Sequence, residues 1–145
     1  LKRGDFGNVF DTFTSKNKER WYTKSNIPTL ADARGKIVVI SRHHEVHGIP
    51  WKAFRIQDAF KINKRATLEN KWKLVTQHFE RQITKPAASI NFISCVGIFR
   101  PPNYTAKTLN PKLMQFLKAK SNTNLGIIVV DFVSKELSQA IIPEQ

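Results

Sequence analysis

Four polar residues stand at or near the ends of apolar runs, where a charged or hydroxylic side chain needs a reason. Arg42 closes KIVVIS (Lys36–Ser41) and Asp58 lies on the apolar face of AFRIQDAFKI (Ala53–Ile62). Ser94 comes late in SINFISCV (Ser89–Val96), and Asp131 ends the apolar run within NLGIIVVDFV (Asn124–Val133). Ionising a buried carboxylate is expensive. One such charge is a local accident; three at equivalent positions point to one shared pocket. Asp131 by itself fits either a cap on the turn that leaves a strand or a site built at the strand's end. His43, His44 and His47 with Glu45 offer an acid–base pair or a metal cluster, but they lack the helical His-Glu-x-x-His spacing. They are assigned to a loop rim, in solvent or beside substrate, and no metal is expected. His78 is assigned to a helix surface. Cys95, the single cysteine, excludes an internal disulfide and a multi-cysteine zinc site. Its apolar neighbours mark it as a buried small residue, not a nucleophile.

The elements that position these residues alternate. The four runs above read as strands, three of them near-continuously apolar, as parallel strands covered on both sides are. AFRIQDAFKI alternates instead, with Phe54, Ile56, Phe60 and Ile62 on one face and Arg55, Gln57 and Lys61 on the other. Leu68, Trp72, Val75, Phe79 and Ile83 recur at spacings of three and four, which predicts an amphipathic helix from Thr67 to Thr84 with a basic outer face. Asn110-Pro111 is a helix start signal, followed by the stripe Leu113, Phe116 and Leu117. Ser134 caps a short final helix, and a weakly patterned helix is expected between Phe6 and Arg20. The order is helix, strand, loop, strand, helix, strand, helix, strand, helix. It implies crossover connections and a parallel sheet. Four strands make either a small open sheet or half of an eight-stranded barrel, a fold of roughly 250 residues that gathers its chemistry at the carboxyl ends of the strands.

Bulk properties narrow the classes. At 145 residues, 41% hydrophobic and 24% charged, the chain has the composition of one globular domain. No apolar run approaches the roughly 20 residues of a membrane span. The net charge of +13 favours anionic partners. Its lysines and arginines are dispersed, however, without the basic block and interleaved aromatics of a nucleic-acid platform, so no nucleic acid is expected. The chain opens on Leu-Lys-Arg-Gly without an initiator Met, and is read as a piece of a larger protein.

IPTLADARGKIVVISR (Ile27–Arg42), FRIQDAF (Phe54–Phe60), INFIS (Ile90–Ser94), LNPKL (Leu109–Leu113) and LGIIVVDFV (Leu125–Val133) occur in an order and spacing similar to bacterial-type phosphatidylinositol-specific phospholipase C. The resemblance spans about Trp21 to Ile142. It implies that residues 1–145 form a single partial domain, the C-terminal half (strands five to eight) of an α/β fold, a TIM-type (β/α)8 barrel of parallel strands, whose N-terminal half is the missing partner. The family cleaves the phosphodiester of phosphatidylinositol or of glycosylphosphatidylinositol anchors through attack of the inositol 2-hydroxyl, giving diacylglycerol and a cyclic inositol phosphate. Two histidines serve as base and acid, as suits imidazole near neutral pH. By the family's layout both lie upstream, as does an arginine that replaces calcium in the bacterial branch. No cofactor is implied.

The resemblance also assigns roles. Arg42 lines the inositol pocket, Asp58 accepts hydrogen bonds from inositol hydroxyls, and Phe60 falls where the family has a tyrosine stacked under the ring. Asp131 hydrogen-bonds the catalytic base histidine, fixing its tautomer and supporting the imidazolium. GIFRPPNY (Gly97–Tyr104) is read as a Pro-rich loop that presents Ile98 and Phe99 beside Arg100 to a membrane surface. The residues give no location; the resemblance alone suggests an extracellular one. The competing readings are a phosphodiesterase for another headgroup, a glycerophosphodiester or sphingolipid, and a non-enzymatic basic module that binds membrane or RNA.

Overall fold

Every strand ladder among the described residues is parallel. The structure, a computed structural model, describes residues 5–43, 46–62, 67–97, 101–121 and 123–142. The chain divides into two compact units, Leu1–Phe54 and Arg55–Gln145.

In the first unit, helix α1 (Asp5–Ser15) precedes strand β1 (Trp21–Tyr22). Phe10 and Phe13 meet Trp21 edge-on, with ring centroids 6.1 and 5.8 Å away. A four-residue helix, α2 (Leu30–Ala33), starts on a capping box in which Thr29 and Asp32 satisfy each other's backbone N–H. Strands β2 (Ile37–Val38) and β3 (Ile40–Ser41) are one extended segment divided at Val39. Its N–H donates to the Tyr22 carbonyl, and its own carbonyl accepts from Ile49, so the segment joins β1 on one side to β4 (Ile49–Pro50) on the other. Gly48 makes that approach possible: a Cβ there would lie 2.8 Å from the Val39 carbonyl oxygen.

The second unit begins with β5 (Arg55–Gln57) and β6 (Lys61–Ile62), followed by helix α3 (Leu68–Thr84). Strands β7 (Ser89–Phe92) and β8 (Val96–Gly97) lead into helix α4 (Pro102–Ala119), and β9 (Ile127–Val129) into helix α5 (Lys135–Ile141). The sheet order is β5-β7-β9, with β6 paired to β8. Thr67 caps α3 through the Asn70 N–H, and Ser134 caps α5 through the Leu137 N–H. Arg55 closes the other end of α3: its guanidinium donates to the Lys85 carbonyl at 2.9 Å, where orphan carbonyls attract a cation. The core of this unit joins Val75 and Phe79 of α3, both fully buried, to Ile93, Cys95, Leu109, Leu113 and Leu137. Phe116 stacks on Phe79 at 5.1 Å and meets Trp72 edge-on. Burying side chains of this size contributes about 1.5–3 kcal/mol each.

Several expectations need correction. Helix α4 starts at Pro102, nine residues ahead of the Asn110-Pro111 signal, because the Pro101-Pro102 pair supplies an earlier start. Pro111 lies inside the helix on an exposed face, where water can meet the carbonyl left without a donor. Part of the supposed Pro-rich loop is therefore helical, while Ile98 and Phe99 lie outside the described residues. His78 is buried, not superficial. It shares the inward stripe of α3 with Val75, Phe79 and Gln82, at helical spacing. Lys71 belongs to the same inward stripe, so not every basic residue of α3 lies on its outer face. Strands β1 and β4, two residues each, were not expected, being too short to show a period.

Gly126 has φ +78°, and a Cβ there would collide with the Ser89 hydroxyl and lie 2.7 Å from the Ser89 carbonyl oxygen. Gly35 has a similar φ of +73° with nothing within 4 Å of the same position. Gly35→Ala should therefore cost only the left-handed backbone, about 1 kcal/mol, and Gly126→Ala about 1–3 kcal/mol more for the clash. Urea unfolding of the two variants compares them directly; equal losses would show that the Gly126 contact relaxes freely.

Candidate functional site

The parallel ladder between β5 and β7 stops one bond early, at the point where Asp58 emerges. The Arg55 N–H donates to the Ala88 carbonyl at 2.8 Å, and the register pairs Gln57 with Asn91. Continued by steps of two, the series would send the Ala59 N–H to the Phe92 carbonyl. Instead, Ala59 donates to Oε1 of Gln57 at 2.8 Å, and the Phe92 carbonyl accepts Nε2 of Gln57 at 2.9 Å. The carboxamide thus stands in the ladder where a peptide bond would be. Beyond it, pairing resumes with Lys61 opposite Val96. The β7–β8 side has gained one residue, a bulge that bends the strand.

Two further side chains hold the carboxamide. Lys71 of α3 donates to Oε1 of Gln57 at 3.2 Å and to the Phe92 carbonyl at 2.6 Å. Oδ1 of Asn91 accepts from Nε2 of Gln57 at 2.7 Å, while Nδ2 of Asn91 donates to the Val75 carbonyl at 3.0 Å. All four hydrogen-bonding positions of Gln57 are filled. Lys71 is 3% and Asn91 0% exposed. Burial pulls the Lys71 amine from 10.5 down to about 8, opposed by Cys95 and Asp58. Burial also pushes the Cys95 thiol up, against Lys71 and a hydrogen bond with Thr105, while Asp131 adds to the rise.

Asp58 occupies the apex of the interruption. Its carbonyl accepts from the Phe60 N–H at 3.0 Å, closing a three-residue turn. The next ring, Phe60, is 49% exposed, with the Lys61 ammonium 5.5 Å from its centroid. Asp131 follows β9 two residues on, and both aspartates stand at the carboxyl end of one parallel sheet. The turn after β9 is pinned by Asn110, whose Nδ2 donates to the carbonyls of Asp131 at 2.9 Å and Phe132 at 3.2 Å. Phe132 has φ +52°, a conformation that costs a bulky residue about 1 kcal/mol or more. Ser134, not Asp131, caps the helix that follows.

In the other unit Arg42 follows β3 and lies over the Trp51 ring at 4.0 Å, a cation–π geometry. It lines an open cavity of about 750 Å³ together with Ser41, His43, His47, Trp51 and Lys52. His47 is 3.9 Å from the Asp11 carboxylate, both partners exposed. His44 and Glu45 lie outside the described residues. Among the described residues no three His, Cys, Asp or Glu side chains converge as metal ligands would. Sequence reasoning missed Gln57, Lys71, Asn91 and Asn110. For Lys71 a signal was present, since it falls three residues after Leu68 and four before Val75 on the apolar stripe.

No family model matches the chain. A 1-phosphatidylinositol phosphodiesterase of Listeria monocytogenes is 26% identical over 132 residues, covering 83% of this chain and 42% of its own length. The solved phosphatidylinositol-specific phospholipase C of Listeria monocytogenes superposes with a TM-score of 0.82 at 25% identity, over 94% of this chain and 57% of that one. A pentafluoro-Phe-containing phosphatidylinositol-specific phospholipase C of Staphylococcus aureus shares the fold, with a TM-score of 0.74 at 19% identity over 97% and 59% of the two chains. The chain is distantly homologous to these bacterial enzymes and spans about half their length. Its α/β architecture of parallel strands matches part of their barrel.

Lys71 makes a prediction about pH. The unfolded chain holds this proton up to about 10.5 and the folded chain releases it near 8. Between those values the unfolded state binds more protons, so folding strengthens as pH rises through the window, by at most about 1.4 kcal/mol per unit. The difference in unfolding free energy between wild type and Lys71→Met should grow in favour of wild type from pH 8 to 10.5. Parallel curves would place the amine in solvent.

Proposed function

We propose that this chain supplies strands five to eight of a phospholipase C-type phosphodiesterase barrel, and with them the side of the site that holds an inositol headgroup. The observation that carries the reading is the pair Asp58 and Asp131 at the carboxyl end of one parallel sheet, in a chain homologous to the Listeria enzyme. A carboxylate held at the end of a strand is a strong acceptor for the hydroxyls of a polyol, and that is the role of Asp58. Phe60 offers an exposed flat face to the ring's apolar side, without the phenolic hydroxyl expected from the resemblance. Arg42 supplies a guanidinium whose plane is steadied by Trp51. Asp131 orients an imidazole contributed by the other half of the barrel, so that it can take the proton of the inositol 2-hydroxyl as that oxygen attacks phosphorus. The substrate is phosphatidylinositol or a glycosylated form of it, met at a membrane surface.

The test uses the protein that carries this chain, offered vesicles containing phosphatidylinositol, a glycosylphosphatidylinositol, sphingomyelin or a glycerophosphodiester. Cleavage confined to the two inositol lipids is expected. Asp58→Asn should raise KM by about tenfold, the value of one charge-assisted hydrogen bond. Asp131→Asn should instead lower kcat by about 100-fold or more with little change in KM. Asp131→Asn turnover within a few-fold of wild type, in folded protein, would reduce Asp131 to a turn residue.

A further inference from the structure

Asp58 makes its turn in a place where the sheet has been opened, and side chains bridge the opening. Ala59, immediately after it, is bound through its N–H to the side chain of Gln57, immediately before it. The backbone on both sides of the aspartate is therefore fixed by one carboxamide. That carboxamide is in turn fixed by the buried amine of Lys71, by Asn91, and by the Phe92 carbonyl it shares with Lys71. Moving any of them would leave buried donors or acceptors unpaired, at about 1–3 kcal/mol each.

We propose that Gln57 and Lys71 are positioning residues for Asp58: the carboxamide replaces the ladder bond, the amine locks the carboxamide, and together they present the Asp58 carboxylate to a polyol ligand in one geometry. The inference rests on the reading of Asp58 as a headgroup-binding carboxylate. Two features separate it from ordinary core stabilisation. A backbone bond from Ala59 to Phe92 would satisfy the same groups more simply, without burying an amine. The lysine is also within electrostatic range of Asp58, so the group that sets the turn acts on the charge the turn presents. The chemistry of Gln57 is specific as well. It must accept two hydrogen bonds and donate two, which neither a carboxylate nor an aliphatic chain can do.

The experiment uses the protein that carries this chain with two readouts by NMR, the amide hydrogen exchange of Ala59 and the affinity for myo-inositol, both well below each variant's unfolding midpoint. Gln57→Leu should speed Ala59 exchange by about 100-fold and weaken inositol binding by about tenfold, with Lys71→Met showing the same pattern to a smaller degree. Gln57→Glu keeps the acceptor contacts with Ala59 and Lys71 but sets its second oxygen against the Asn91 and Phe92 acceptors, so its Ala59 protection and affinity should fall between those of Gln57→Leu and wild type. This partial rescue is not expected of a residue that serves stability alone. If Gln57→Leu does not fold, the comparison of Gln57→Glu with Lys71→Met carries the test. Unchanged exchange at Ala59, or unchanged affinity in folded Gln57→Leu and Lys71→Met, would overturn the proposal. Equal binding of myo-inositol by wild type and Asp58→Asn would instead remove the headgroup reading and the ligand half of the proposal with it, while the exchange result still decides whether the clamp exists.

Discussion

Phe92 presents its carbonyl to a strand that has turned away, and a carbonyl inside a sheet has to find a donor. Among the described residues the Gln57 carboxamide and the Lys71 amine both donate to it. Most of the second unit's local architecture follows from this. At the break the chain makes a tight turn from Asp58 to Phe60. The extra residue on the β7–β8 side absorbs the mismatch and lets pairing resume at Lys61 and Val96. Asn91, fully buried, ties the cluster to the backbone of α3 through Val75. In a low-dielectric interior a network of this kind stabilises strongly only when every member is paired, and each group of Gln57 is.

Helix α3 therefore has two tasks that share one face. Its apolar residues close the core with α4, and its polar ones on the same stripe serve the strands: Lys71 at the carboxyl end of β5, and Gln82 at the turn into β7. Gln82 donates to the Ala87 carbonyl at 2.8 Å and accepts from the Ala87 N–H at 3.2 Å. At the helix's last turn Arg55 reaches back from the first residue of β5. The helix is thus joined to the sheet at both ends by directional bonds as well as by burial, which fixes its placement along the strands. Retention of this fold at 25% identity to the Listeria enzyme is consistent with packing that tolerates many side chains.

What could be read from the sequence was whatever carried a period or a cap. Helix α3, the cap at Ser134 and the four main strand regions were all visible, because spacing of three and four or a run of β-branched residues is a strong signal. The start of α4 was misplaced because two proline signals competed, and the earlier one begins the helix. His78 was misplaced, and Lys71 and Gln57 went unremarked, for a different reason. Their types argue for solvent and their positions for the interior, and type was given the greater weight. The partners that reverse that weighting, the Phe92 carbonyl for Lys71 and Gln57 and the packed face of α3 for His78, lie far along the chain, so no local pattern displays them. The aspartates at the strand ends were legible as anomalies. How Asp58 is held was not.

The separation of those partners has a kinetic side. Gln57 meets Asn91 across 34 residues, and Lys71 across 14. Closing such loops costs entropy before any bond is gained, so the end of β5 has nothing to bind while it is alone. The clamp on the turn that carries Asp58 is complete only with α3 and β7 both in place. Along the chain this aspartate precedes most of the groups that hold it. The segment is short and interrupted at Asp58 between β5 and β6, and such a strand is a poor template for pairing with another chain.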